Sequence, residues 1–194
     1  MTTWRELEHR ARARLGNEQE ARWLVQQAAG RTGGEWMADL DERAPDRCLP
    51  YVEQMLERRA AGEPLQYVLG SWAFRRLDLS IDRRVLIPRP ETEQVVEHAI
   101  AELTRLRLRT GKPPRVVDLG TGSGAIALSI AVEVAGAEVW ATDASEAALT
   151  VARANLAGVG GMAATRVRLV PGCWYDALPP ELAGRVDLVV SNPP

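Results

Sequence analysis

Three short stretches hold the residue types with the most chemical potential. Asp118-Leu119-Gly120-Thr121-Gly122-Ser123-Gly124 sets an acid directly before alternating glycines, Asp143 ends the next apolar run, and Ser191-Asn192-Pro193-Pro194 closes a later one. Glycine at 120, 122 and 124 lets the backbone turn sharply and lets a ligand approach without meeting a Cβ. The amides that open the following helix face the same gap. Gly120-x-Gly122-x-x-Ala125 also satisfies the relaxed dinucleotide fingerprint, so the glycines alone leave a nicotinamide or flavin cofactor in play. Two features lead elsewhere: Asp118, placed where a cationic amine fits, and the distal Asn192-Pro193-Pro194. Together with the glycines they suggest S-adenosylmethionine and methyl transfer to a planar nitrogen.

An amide nitrogen is a poor nucleophile because its lone pair is delocalised into the carbonyl. A site that accepts its two N–H protons, one on the Asn192 carboxamide oxygen and one on the Pro193 carbonyl, orients that nitrogen toward a sulfonium methyl. The protein's part is positioning and local electrostatics. Proline fixes φ and adds no competing donor. Asp143, 19 residues after Gly124, is predicted to accept from both hydroxyls of a ribose; the competing reading is that it caps the next helix with Ser145. Trp174, in Gly172-Cys173-Trp174, is predicted to cover an adenine ring, with plain packing as the alternative.

These residues need a scaffold, and the pattern supplies an α/β one. Val116–Leu119, Glu138–Thr142, Val167–Val170 and Val186–Val190 read as short buried strands. Helices alternate with them, from Ala125 to about Val134 and from Ser145 to Leu156, as in a doubly wound parallel sheet. Ahead of the sheet, Pro88 and Pro90 stiffen Ile87-Pro88-Arg89-Pro90-Glu91-Thr92-Glu93 and start a helix whose apolar face is Val95, Val96, Ala99, Ile100, Leu103 and Leu106. Proline and acids at a helix start are ordinary N-terminal chemistry, and only Arg89 exceeds it. Trp72, Phe74, Leu77, Leu79 and Ile81 alternate as in a hairpin joining two domains.

The first 70 residues are helical. Trp4, Leu7, Ala11 and Leu15 recur at helical spacing up to Gly16. Asn17 with Glu20 predicts a capping box for a second helix with Ala21, Leu24, Val25 and Ala28 as its buried stripe. A short helix is expected over 35–40, and a longer one over 45–60 with Cys48, Val52, Met55 and Leu56 on one face. The division is therefore a helical bundle over 1–70, a hairpin linker over 71–89 and a sheet domain over 90–194. The bundle is either a structural appendage or a device for recognising a macromolecular substrate.

The formal net charge of −2, from 24 basic and 26 acidic residues, gives no overall drive toward nucleic acid or anionic membrane, so a protein partner is favoured. Cys48 and Cys173 lie far apart without metal-ligand spacing, which fits a reducing cytoplasm with neither disulfide nor metal site. No run reaches 18 apolar residues and no apolar leader follows the N-terminus, so the chain is expected to be soluble and unprocessed.

The Ile87-to-Glu93 segment, Asp118 to Gly124 and Ser191-Asn192-Pro193-Pro194, in this order behind a helical N-terminal domain, resemble the HemK (PrmC) family of peptide chain release factor glutamine methyltransferases. The resemblance covers essentially the whole chain. It implies a small helical bundle, a hairpin linker and a Rossmann-like S-adenosylmethionine-dependent methyltransferase domain, of which only the first four strands are present. It implies methyl transfer to the side-chain amide nitrogen (N5) of the glutamine in the Gly-Gly-Gln motif of release factors, with S-adenosylhomocysteine as product and the helical domain engaging the release factor. By position, Asp118, Gly120, Thr121, Gly122, Ser123, Gly124, Asp143, Trp174 and Asn192 bind the cofactor. Asn192, Pro193 and Pro194, with Arg89, hold the substrate glutamine. Two departures stand out: Cys173 replaces an acid common in the family, and the family motif Asn-Pro-Pro-Tyr stops here before its Tyr. The expectation is a fragment cut within the active site, with Val186–Val190 an apolar edge and little or no activity. Glutamine methylation of a ribosomal protein and amino-methylation of adenine in nucleic acid are the alternative readings; the latter predicts a basic channel.

Overall fold

The computed structural model describes residues 2–193, which divide into two compact units, Met1–Gly70 and Ser71–Pro194.

In the first unit, α1 (Trp4–Leu15), α2 (Glu18–Ala29), α3 (Gly33–Asp39), α4 (Cys48–Ala60) and α5 (Leu65–Leu69) pack around one core. Its largest fully buried side chains are Trp36, Leu24 and Met55. Each such side chain contributes on the order of 1.5–3 kcal/mol by leaving water. Trp4 meets Trp36 edge to face at 6.0 Å. The capping box sits one helix earlier than the sequence predicts: the Thr3 hydroxyl accepts from the Glu6 N–H, and the Glu6 carboxylate accepts from the Thr3 N–H. Asn17 does cap α2, accepting from the Gln19 and Glu20 amides at 3.0 and 3.2 Å. Glu20, however, is taken by Arg59 of α4 in a two-pronged ion pair at 2.6 and 3.0 Å, and a charged partner outcompetes a backbone amide. α4 starts at Cys48 rather than Pro45, because a turn donates the Cys48 N–H to the Pro45 carbonyl.

The second unit opens on a hairpin, β1 (Ser71–Phe74) and β2 (Leu77–Ser80), paired antiparallel from Ser71↔Ser80 to Phe74↔Leu77. The hairpin is built into this unit. Phe74, Leu79 and Ile81 are buried, and its turn is tied down at Arg75, which takes a left-handed φ of 51°. Glu93 accepts from the Arg75 N–H at 3.1 Å and Glu133 pairs with its guanidinium at 2.7 and 2.9 Å, which offsets the cost of that backbone. Next come α6 (Pro90–Thr110), β3 (Arg115–Leu119), α7 (Ala125–Glu133), β4 (Glu138–Asp143), α8 (Glu146–Val159), α9 (Gly161–Ala164), β5 (Val167–Pro171) and β6 (Leu188–Ser191).

The sheet is parallel throughout, in the order β5-β4-β3-β6. Val116, Val117, Val139 and Ala141 are all inaccessible, the signature of strands covered on both faces. β6 begins two residues later than predicted. Asp187 makes the entry contact instead, its N–H donating to the Arg115 carbonyl at 2.8 Å and its carboxylate accepting from the Arg115 N–H at 2.7 Å. The chain steps outward from β3 to β4 to β5, then returns to the other side of β3, so the strand order reverses between β3 and β6. Beyond the carboxyl ends of strands at such a switch point, α/β sheets form a crevice. Among the described residues, no helix is long and apolar enough to cross a membrane.

Candidate functional site

Three strand ends meet at that crevice. β3 delivers Asp118 and the glycine loop, β4 delivers Asp143, and β6 delivers Asn192 and Pro193. Pro194 lies outside the described residues.

Gly120, Gly122 and Gly124 have φ of 73°, 57° and 84°. Around Gly120 and Gly122 an added Cβ would meet no atom within 4 Å, so these two open toward the crevice, while at Gly124 it would press on Leu128 at 3.1 Å. Positive φ thus shapes all three, and helix packing also selects glycine at the third. The loop's own amides are largely engaged. Those of Gly120 and Thr121 donate to the Thr142 carbonyl, that of Gly124 to the Thr121 carbonyl, and that of Gly122 to the Asp143 carboxylate. A loop holding a pyrophosphate leaves such amides for the anion. This one folds four of them inward and sets carboxylates around them, which favours a neutral or cationic ligand group over a dinucleotide.

Asp118 is fully buried. One carboxylate oxygen, Oδ2, accepts from the Thr121 hydroxyl at 2.6 Å and from the Ala127 N–H at 3.2 Å; the other, Oδ1, has no partner. Burial pushes its pKa from 3.8 up to about 6, against the pull of those two bonds, and the negative Asp143 adds to the rise. An unpartnered, buried carboxylate oxygen is costly on its own and calls for a donor or a cation.

Asp143 is half-buried and works in the scaffold as well. Its Oδ2 accepts from Gly122 and its Oδ1 from the Ser145 N–H, both at 2.8 Å, while Ser145 itself caps α8 through the Ala148 N–H. The capping alternative is therefore realised in part, by Ser145. Each Asp143 oxygen keeps a second lone pair for a ligand hydroxyl. The Asp143 carbonyl accepts from the Gly172 N–H at 3.0 Å, which places the turn after β5 beside it. Gly172 has φ of 141°, and a side chain there would collide with Ala177 at 2.8 Å. That tight turn presents Trp174 56% exposed, with φ of 46°. A large aromatic held in the left-handed region and left in water beside a crevice is not serving the core. Cys173 is exposed and free.

At the third strand end, the Ser191 hydroxyl donates to the Leu119 carbonyl at 2.8 Å, locking the end of β6 to the residue that begins the glycine loop. Asn192 follows, and its Nδ2 donates to the Thr92 hydroxyl in the first turn of α6 at 2.8 Å. The Pro-Arg-Pro-Glu-Thr segment therefore does reach the Asn-Pro-Pro segment, through Thr92. Arg89 is the exposed N-cap of α6 and makes no side-chain capping bond.

A family model described as the PrmC N-terminal domain matches residues 5–70, and one described as the methyltransferase small domain matches residues 101–194. The release factor glutamine methyltransferase of Bordetella pertussis is 45% identical over 176 residues, spanning 90% of this chain and 61% of that protein. The chain belongs to the HemK/PrmC family. The release factor glutamine methyltransferase of Moorella thermoacetica is 42% identical over 175 residues, 90% of this chain and 58% of the relative. The chain thus spans about three fifths of the length of the curated relatives it matches. Among solved structures, the N-terminal domain of human METTL16 matches with a TM-score of 0.49 at 17% identity, over 90% of this chain and 63% of that one, too distant a likeness to bear on function.

Two residues escaped sequence reasoning. Thr92 looked like generic helix-start chemistry, and its partner lies 100 positions away. Asn155 is buried in α8. It accepts from the Ser80 N–H at 2.7 Å and donates to the carbonyls of Ser80 and Ser123 at 3.1 and 2.9 Å, stitching the hairpin to the glycine loop. A polar residue in line with the apolar Ala148, Val151 and Ala152 on the buried face of α8 was the available signal.

Proposed function

We propose that this chain carries the S-adenosylmethionine site and the amide-holding end of an enzyme that methylates the N5 nitrogen of the glutamine in the Gly-Gly-Gln motif of peptide chain release factors. The observation that carries this reading is the meeting of the acid-led glycine loop and Asn192-Pro193 across the switch point between β3 and β6. When bound, S-adenosylmethionine supplies a methyl group on a positive sulfonium.

The protein residues then divide the work. Gly120 and Gly122 leave room for close approach, and Asp118 sets negative charge behind the loop, where it favours a cation. Asp143 accepts from ribose hydroxyls, and Trp174 covers the adenine. Asn192 Oδ1 and the Pro193 carbonyl take the two N–H groups of the glutamine amide, with Pro194 and Arg89 completing the substrate side. Holding that nitrogen in line with the methyl replaces a rare encounter by a fixed geometry. The first unit, Met1–Gly70, recognises the release factor, and such an enzyme acts in the cytoplasm, where translation terminates.

The test is transfer of labelled methyl from S-adenosylmethionine, assayed with this chain and with one extended to the length of its relatives. A release factor, a ribosomal protein and DNA are offered in parallel. Label in the release factor glutamine is expected; label only in DNA or only in ribosomal protein would replace the reading. Asn192→Ala should lower turnover by about 100-fold or more while cofactor affinity stays within a few-fold. Equal damage to both would make Asn192 part of the cofactor pocket.

A further inference from the structure

We propose that Thr92 is a positioning residue that holds the Asn192 carboxamide against the first turn of α6. A carboxamide is an acceptor on one side and a donor on the other, and the two orientations have nearly the same shape. Only one is useful for holding a substrate N–H. With Nδ2 donating to the Thr92 hydroxyl at 2.8 Å, Oδ1 is left free of that contact; because the hydroxyl can also donate, Thr92 fixes the place of the carboxamide and the substrate N–H selects its orientation. The flipped form would set an NH2 group against the substrate's own N–H donors, and both would lose their acceptor.

The scaffold around Thr92 suits this role. Thr92 is 6% exposed, so water competes poorly for its hydroxyl. Its own N–H donates to the Arg89 carbonyl at 3.0 Å, fixing the first turn of α6. Pro90 at the first helical position pre-sets that turn. The next residue, Glu93, accepts from the Arg75 N–H at the hairpin turn, anchoring the same turn from its other side. A buried hydroxyl on a doubly anchored turn, bonded to Asn192 at the end of β6, has no capping duty, since the N-cap is Arg89.

The inference rests on the reading of Asn192 given above, and its test keeps the two apart. Wild type and Asn192→Ala, both in the chain extended to the length of its relatives, are compared first. A wild type that transfers no methyl to glutamine overturns that reading and this inference with it. Where wild type is active, Thr92→Val, which keeps the shape and removes the hydroxyl, should lower kcat about tenfold, the effect of losing one positioning hydrogen bond. KM for the release factor should change less, and cofactor affinity should stay within about twofold. Thr92→Ser, which restores the hydroxyl, should recover most of the loss. A folded Thr92→Val with wild-type kcat overturns the inference alone, as does an equal loss in Thr92→Ser. Should Thr92→Val fail to fold, nuclear magnetic resonance of the wild-type chain decides. Through-space contacts between the Asn192 carboxamide protons and the Thr92 side chain support the placement, and their absence overturns it.

Discussion

The two units treat buried polarity in opposite ways. In Met1–Gly70, the partly buried polar groups have partners: Trp36 Nε1 donates to Glu8, Arg59 pairs with Glu20, and Arg58 pairs with Glu63 and the Tyr67 carbonyl. In Ser71–Pro194, by contrast, Asp118 Oδ1, Thr142 Oγ1 and Ser129 Oγ are buried without a partner. Two of these three stand at the carboxyl ends of adjacent strands, next to the glycine loop. The left-handed, exposed Trp174 belongs to the same edge. A region selected for stability satisfies its polar groups; one that must also bind something leaves some of them waiting.

The largest effect that probes this contrast is expected in the first unit. Trp36→Ala removes a fully buried ring and its bond to Glu8, and should destabilise that unit by about 3–5 kcal/mol in urea unfolding. Affinity for S-adenosylmethionine, measured where the variant is still folded, should not change. A parallel loss of affinity would erase the distinction between scaffold and site.

Asp118 probes the other side. Its pKa is raised on folding from 3.8 to about 6, so below pH 4 both states hold the proton and there is no penalty. As the pH climbs from 4 to 6 the unfolded chain ionises first, stability falls, and above about 6 the loss levels off. A rise of this size corresponds to about 3 kcal/mol at about 1.4 kcal/mol per pH unit. The stability difference between wild type and Asp118→Asn should therefore change by about that amount between pH 4 and pH 7. A flat difference would mean that Asp118 is not strained. Because a cation beside Oδ1 favours the ionised form, cofactor affinity should rise with pH over the same window.

The smallest effect sharpens the comparison at Asp143, a scaffold residue for which a ligand role is proposed as well. Asp143→Ala should weaken S-adenosylmethionine binding by about 1–3 kcal/mol in calorimetry. It should also lower the stability of the free protein by about 1 kcal/mol, through the lost bonds to Gly122 and Ser145. Unchanged affinity would remove Asp143 from the site, and NAD binding in the same experiment would revive the dinucleotide reading.

Much of this architecture is legible in the chain itself. Val116–Leu119 and Glu138–Thr142 are apolar runs bounded by proline, glycine and acid, and they appear as β3 and β4 within one residue. Local chemistry dominates there. What sequence reading misses is decided at long range. Glu20 abandons its capping role because Arg59 reaches it from another helix. Leu65–Leu69 is too short to show a period, and it is helical because Pro64 starts it and Gly70 ends it. In the candidate site, the glycine loop, Asp143 and Asn192 stand out by type and spacing, and the structure brings them to neighbouring strand ends. Thr92 does not stand out, since nothing near residue 92 announces a partner at residue 192.

The glycine loop also has a kinetic consequence. With Gly122 fastened to Asp143, and Gly120 and Thr121 to Thr142, the loop's shape is held by the protein's own hydrogen bonds. A loop held in this way should bind without closing, so the on-rate is expected to follow the frequency of well-oriented encounters and to depend weakly on temperature. Differences in affinity among variants should reside in how long the ligand stays.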